Sequence, residues 1–427
     1  MSAGPPPSEG PDAGRDLTPS GGAGLRALLE IGPFRNLFAA GTVSSFGDWL
    51  ALLATTALAA ELAPGGVAEY LAVSGVFVLR IAPAVVLGSL AGVVADRLDR
   101  RLVPPDRLEL ANQLGLVGSY GTAPVAAVAF SGLSLLAAPP HSLLPGLDPQ
   151  GTFLAMYVNG ATFVLSAVIV WRTTFPERGA GETLAGESIL RTVTDGLVVV
   201  RERPFVRGLL AGMTGTFAAG GLVIGLATRF ASDLGAGAPG YGLLFLAVFT
   251  GMAAGIVGGP RLLAGFSRPR VFGAALASAG VLILLLALLP AMAAALPLAV
   301  LLGAVIGVAW VVGYTLLGLT MEDEVRGRTF ALVQSLDRVV LVLVLAAAPL
   351  LAAAFEALLP LPHRFRLGPL SPTYTGATAA YLLAGLALVG AGLAAWRTMN
   401  DRPGLSVLAE VRDVRRRRRL SDRGGPP

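Results

Sequence analysis

Long apolar runs alternate with short polar segments along this 427-residue chain. A helix needs about 20 mostly apolar residues to cross a bilayer core. The pattern predicts ten such helices, at about 37–62, 67–95, 107–136, 151–172, 205–230, 240–264, 270–290, 293–319, 328–355 and 374–397. Glycines recur at four-residue spacing inside them, at Gly88/Gly92, Gly251/Gly255/Gly259 and Gly303/Gly307. Small residues at that spacing let helix backbones approach closely in lipid. Segment 187–203 is patterned differently. Ile189, Leu190, Val193, Leu197 and Val200 share one helical face, predicting an amphipathic helix on the membrane surface. The class is an all-α polytopic membrane protein.

Arginine placement orients the spans. Arg97, Arg100, Arg101 and Arg107 follow span two, and Arg172, Arg178, Arg191, Arg201 and Arg203 follow span four. Arg268, Arg270, Arg326 and Arg328 mark later loops of the same parity, whereas the alternate loops hold few, Arg364 and Arg366 chief among them. Positive residues stay inside, so both termini are expected in the cytoplasm, here of a bacterium whose inner membrane the chain spans repeatedly. The predicted units are a disordered N-terminal tail over 1–33, a first bundle over 34–172, a cytoplasmic linker over 173–203, a second bundle over 204–400 and a basic tail over 401–427.

Composition adds exclusions. Hydrophobic residues make up 54% of the chain and charged residues 14%, against roughly 25% charged in soluble domains. There is no Cys, which excludes disulfides, thiolate catalysis and Cys-bound metal. His141 and His363 lie far apart in predicted outer loops, so no metal site and no cofactor are expected. All 32 basic residues are Arg, and the net charge of +5 is spent on topology rather than on a nucleic-acid surface. No Ser/His/Asp arrangement or phosphate loop is present, and an enzyme is not expected.

The chain also repeats itself. Pro33, Phe34, Gly41 and Phe46 match Pro204, Phe205, Gly212 and Phe217 at a constant separation of 171 residues, which persists through Tyr70/Tyr241, Gly88/Gly259 and Arg97/Arg268. So spans one and two repeat as spans five and six. The separation then jumps to 218, because PPDRLELANQL (Pro104–Leu114) resembles DEVRGRTFALV (Asp323–Val333) with Asp106 paired to Glu324. The first half is shorter by the difference, about two helices and a turn. Spans seven and eight have no counterpart, giving four helices in the first half and six in the second.

Four strings carry a resemblance: FGDW in span one, LRIAPAVVLG in span two, GVVADRLDRR after it and VRGRTFALVQSL entering span nine. They resemble the major facilitator superfamily, and within it the macrolide-efflux and enterobactin-exporter branch, with the third and fourth of the usual twelve helices missing. The resemblance implies two bundles around a central cavity, export driven by protons through alternating access, and a monomer. It also implies a gating loop of Gly92, Asp96, Arg97, Arg100 and Arg101. In the family the carboxylate at Asp96 docks near the N-terminus of the helix matching span nine, where the helix dipole favours negative charge. The arginines bridge the bundles on the cytoplasmic side. The family often has Gly where this chain has Asp99. A plain positive-inside anchor is the alternative role for the loop.

Charges inside spans are the other candidates. Asp48 lies roughly 16 Å into span one, and Arg80 roughly 22 Å before the cytoplasmic end of span two. Both fall near mid-membrane on adjacent helices, where a lone charge is costly and usually has a partner or a cavity. Asp48 is the candidate proton-coupling residue, with Arg80 tuning it or binding an anionic group of the substrate; a static ion pair is the bland alternative. Asp337 and Arg338 sit about ten residues into span nine on different faces, one of them toward the cavity. Asn112, Gln113 and Tyr120 line the cavity from span three or join helices by hydrogen bonds. Expected partners are a small-molecule substrate, protons and the lipid bilayer. Two function classes stand: a secondary exporter of amphipathic small molecules such as drugs, macrolides or siderophores, and a non-transporting protein left by in-frame loss of two helices.

Overall fold

A computed structural model describes residues 26–80, 108–137, 151–174, 204–289, 291–320, 323–359, 363–364, 373–399 and single positions between 401 and 416. The helices in chain order are α1 (Gly32–Leu62), α2 (67–80, where description stops), α3 (Leu108–Tyr120), α4 (Ala123–Ala137), α5 (Thr152–Trp171), α6 (Pro204–Gly225), α7 (Ala227–Asp233), α8 (Gly237–Leu262), α9 (Arg268–Leu288), α10 (Met292–Thr320), α11 (Asp323–Leu358) and α12 (Gly376–Thr398). A two-residue antiparallel pair, β1 (His363–Arg364) and β2 (Thr373–Tyr374), departs from the all-α expectation in the loop before α12. Among the described residues nine helices are long and apolar enough to cross a membrane, taking α3 and α4 together as one. The second predicted span is described only over 67–80, and the 187–203 segment and the gating loop lie outside the described residues.

Local chemistry explains the boundaries. Pro33 opens α1 at the helix position where no N–H is needed. Within the apolar helices hydroxyls bond back to their own backbone: Thr42 to Phe38, Thr56 to Leu52 and Thr216 to Gly212, at 2.7–2.8 Å. These three hydroxyls are thereby satisfied within their own helices. The third span, expected unbroken over 107–136, is kinked at Gly121–Thr122. The Ser119 carbonyl freed there accepts from the Trp49 indole at 2.7 Å and from Thr122 at 3.0 Å. The fifth, expected over 205–230, stops at Gly225 and yields to the short α7. Described residues also fall inside the two expected tails. A helical turn at 26–29 with a fully buried Leu28 lies inside the expected N-terminal tail. Glu410, inside the expected basic tail, is buried against Arg270 at 2.8 Å, and its other oxygen accepts from the Ser267 amide at 2.8 Å.

The repeat is visible in the backbone. Gly66 and Gly237, 171 residues apart, both have positive φ, 59° and 53°, in the turn between the first two helices of each half. That left-handed conformation suits Gly because it lacks a Cβ. The first half packs α1 against α5, α4 and α3. The second packs α8 on α10, α9 on α12 and α10, and α11 on α6 and α12. Its glycines make the close contacts: a Cβ on Gly251 or Gly255 would collide with the carbonyls of Val300 and Ala304 on α10. One on Gly280 would lie 2.6 Å from the Gly385 carbonyl on α12.

Among the described contacts between the halves are two helix pairs that the repeat exchanges. Helix α2 meets α11, where Ser74 donates to the Ala346 carbonyl at 2.6 Å and Val73 and Phe77 pack near Leu345 and Ala346. Helix α4 meets α8, where Ser131 donates to the Pro239 carbonyl at 3.2 Å and Phe130 stands edge-on to Tyr241 at 6.2 Å. The repeat pairs span two with span six and span three with span nine, so each contact maps onto the other.

Candidate functional site

Between the halves, mid-way along the helices, lies a row of aromatic rings. Trp49 of α1 tilts against Phe245 of α8 at 5.7 Å and stands edge-on to Phe249 at 5.2 Å. It also meets Tyr120, the last residue before the kink in span three, at 6.1 Å. Tyr120 in turn stands edge-on to Trp310 of α10 at 5.6 Å, and Trp310 contacts Phe217 at 5.8 Å and Tyr314 at 6.5 Å. The bend at Gly121 places Tyr120 in this row, and the bond from Trp49 to the freed carbonyl locks the bend. Phe245 and Phe249 also line a small apolar cleft with Val223, Leu244 and Tyr381. The apolar surface therefore runs on from the aromatic row into the second bundle.

A carboxylate lies at each end of the row. Asp48, next to Trp49, receives Arg80 Nη2 on its side-chain Oδ1 at 3.2 Å and on its backbone carbonyl at 2.9 Å. The two side chains are 49% and 35% exposed. An ion pair that open contributes little to stability, about 0–1 kcal/mol, and either partner can exchange the other for water or a ligand. Asp337, at the Tyr314 end, is different. It is 1% exposed and accepts from the Tyr314 hydroxyl at 3.3 Å and the Thr214 hydroxyl at 3.5 Å. Both oxygens of this buried acid thus accept from neutral hydroxyls.

The structure brings Asp48 to Arg80, and Tyr120 into the row that leads to Asp337. Asn112 and Gln113 lie on α3 and Arg338 on α11, and nothing is described of their side chains. Gly92, Asp96, Arg97, Arg100 and Arg101 are outside the described residues. Sequence reasoning missed Trp49, Trp310, Tyr314 and Thr214, because an aromatic or a threonine in an apolar span reads first as core. It also missed a charged cluster at the α1–α2 turn. There Arg229 Nη1 bonds Glu69 Oε2 at 2.7 Å and its Nε bonds Asp233 Oδ1 at 3.0 Å. The spacing of Arg229 and Asp233, four apart on one helix, was the available signal.

Arg80 has a telling position. Its mate in the repeat, 171 residues on, is Gly251, the glycine held against Val300 and Ala304 of α10. The first half has an arginine where the second half needs no side chain at all.

Comparison with solved structures finds similar helical chains. The chain is similar to a bacterial homologue of the human lysosomal transporter Spinster, in an inward-facing, unoccupied state. Identity is 16%, over 90% of this chain and 96% of that one, with a TM-score of 0.44. The E. coli fucose:proton symporter shares 15% identity over 90% and 91% of the two chains, at TM-score 0.42. The nucleoside transporter NupG shares 11% over 88% and 95%, at 0.43. No family model matches the chain, and no curated protein does.

Proposed function

We propose that this chain is a secondary transporter of the major facilitator type, exporting amphipathic small molecules by alternating access of its two bundles, with protons as the driving ion. The observation that carries this reading is the exchange of the two inter-bundle contacts, α2 with α11 and α4 with α8, by the internal repeat. Parallel repeats related in this way can rock about a central site and open it to each side in turn. The aromatic row is that site. Its rings offer stacking surface to an apolar body, and the carboxylates at its two ends offer acceptors to a polar or cationic group. Asp48 carries the coupling proton: Arg80 favours its ionised form, and withdrawal of Arg80 favours the neutral one. Asp96 and its arginines close the cytoplasmic end, both termini lie in the cytoplasm, and the membrane is the bacterial inner one.

We also propose that the first bundle is built of four helices. Gly212 lies against Phe272 and Leu276 of α9, its nearest ring carbon 2.6 Å from where a Cβ would stand, whereas no described residue comes within 4 Å of that point at its repeat mate Gly41. Helix α9 is span seven, one of the two spans with no partner in the first half. This same observation favours the second reading, a protein that lost transport with its helices. Purified chain in proteoliposomes with an imposed pH gradient separates the two. Gradient-driven movement of a cationic dye, abolished by a protonophore, supports the transporter. Absence of movement for a broad panel of amphipathic dyes and drugs supports the degenerate protein.

A further inference from the structure

At the end of the molecule where α1 turns into α2, a polar cluster ties the two halves together. Glu69 of α2 and Asp233 of α7 share Arg229, at 2.7 and 3.0 Å. The other Asp233 oxygen accepts from the Thr375 hydroxyl at 2.6 Å, and Thr375 caps α12. Beside them the Tyr70 hydroxyl accepts from the Ala377 amide at 3.2 Å, and the Arg229 guanidinium lies 5.6 Å over the Tyr70 ring. The side chains of Glu69 and Asp233 are only 10% and 7% exposed. Glu69 and Tyr70 belong to the first half; Arg229, Asp233, Thr375 and Ala377 belong to the second. Opening this end must part Glu69 from Arg229 and wet both acids.

We propose that Glu69, Arg229, Asp233 and Thr375 form a latch that holds the extracytoplasmic end shut, and that proton uptake at Asp233 tightens it. Which face of the membrane this end meets rests on the orientation proposed above; the latch and its response to protons go beyond that reading.

The groups facing Asp233 set the sign. They are Arg229 on its own helix, Glu69 and Tyr70 on α2, and Thr375 and Tyr381 on α12, with Glu356 of α11 acting on Tyr70. Burial dominates and pushes the Asp233 carboxyl up to about 6, against the pull of Arg229 and the hydrogen bond from Thr375. Once the end opens, water restores an ordinary carboxylate value of about 3.9. The closed form therefore binds the proton better and gains as pH falls. That contribution is complete below the ordinary value and fades as pH rises through about 6. A protonated Asp233 still accepts from Thr375, and Arg229 keeps Glu69, so the crossing ion pair survives. An acidic exterior thus shuts the latch and returns the carrier to face the cytoplasm.

The natural absence of Cys makes the test direct. Leu62 and Leu289 sit on opposite halves at this end and are 76% and 48% exposed. Spin labels on Leu62→Cys and Leu289→Cys in the full chain, in lipid nanodiscs, report its opening by pulsed dipolar distance measurement. No gradient or substrate is needed, so the outcome is independent of whether the chain transports. From pH 8 to pH 5 the ratio of short to long distances should rise about tenfold, as linkage between values near 6 and 4 requires. Asp233→Asn should stay short at both pH values, and Glu69→Gln should shift toward the long distance at both. A distribution indifferent to pH overturns the proposal, as does an Asp233→Asn chain that titrates like its parent. The parental titration and the isosteric Asp233→Asn decide the matter even if Glu69→Gln folds poorly.

Discussion

Gly41 and Gly212 occupy the same place in the two halves of the chain, and so do Arg80 and Gly251. In the second half Gly212 is roofed by α9 and Gly251 by α10. In the first half no described residue approaches Gly41 within 4 Å, and Arg80 reaches to Asp48. The last helices of the halves differ in the same sense. Of the most apolar stretch of α12, 44% is buried, against 11% for α5. Phe153, Tyr157, Phe163, Val164, Val170 and Trp171 of α5 are exposed. Among the described residues the turns and tyrosines are shared, and the contacts over Gly212 and Gly251 are not. The second half is a packed bundle that holds its own shape. The first places an exposed charge pair at the position matching Gly251.

Substitutions at matched positions can break that contrast. The largest effect is expected at Gly251→Val, which forces a side chain into the α10 backbone and should cost about 3 kcal/mol or more. Loss of monodisperse protein in size-exclusion chromatography checks it, whereas the reciprocal Arg80→Gly should elute as the parent does. Next comes Asp48→Asn. It should lower gradient-driven dye movement by more than about tenfold, equivalent to about 1.4 kcal/mol, while leaving the melting temperature within a few degrees. Full proton-coupled movement in this variant would mean that the pair is a static strut. Gly212→Leu should lower thermal stability by about 1–3 kcal/mol of overpacking, and Gly41→Leu should leave it unchanged. Equal losses would show that the first half is covered after all. The smallest effect is expected at the loop: Asp96→Asn should reduce transport a few-fold more than it reduces membrane abundance, measured on the same vesicles.

Much of this contrast was legible in the residues. The separation of 171 positions is a property of the chain alone, and its failure after Arg97 is what the proposal of a four-helix first bundle starts from. The Asp48–Arg80 pair followed from depth, because each helix places its residues at a known rise. What could not be read is lateral. The kink at Gly121 decides that Tyr120 meets Trp310, and no periodicity encodes which ring of one helix touches which ring of another. The latch was hidden for a related reason. Glu69 and Asp233 look like ordinary loop-end acids until the turn at Gly66 and the short α7 bring them to one arginine.

Helix length carries a consequence of its own. Helix α5 has 20 residues and α10 has 29, or about 30 and 44 Å at 1.5 Å per residue. A bilayer of uniform thickness cannot match both edges when they stand upright. Next to α5 the lipid tails fit without distortion; next to α10 the helix must lean or the leaflets must swell, at fractions of a kcal/mol per Å. Each half pairs long and short helices, with α1 at 31 residues and α9 at 21, so changing acyl-chain length in the surrounding membrane presses unequally on neighbouring helices within each half.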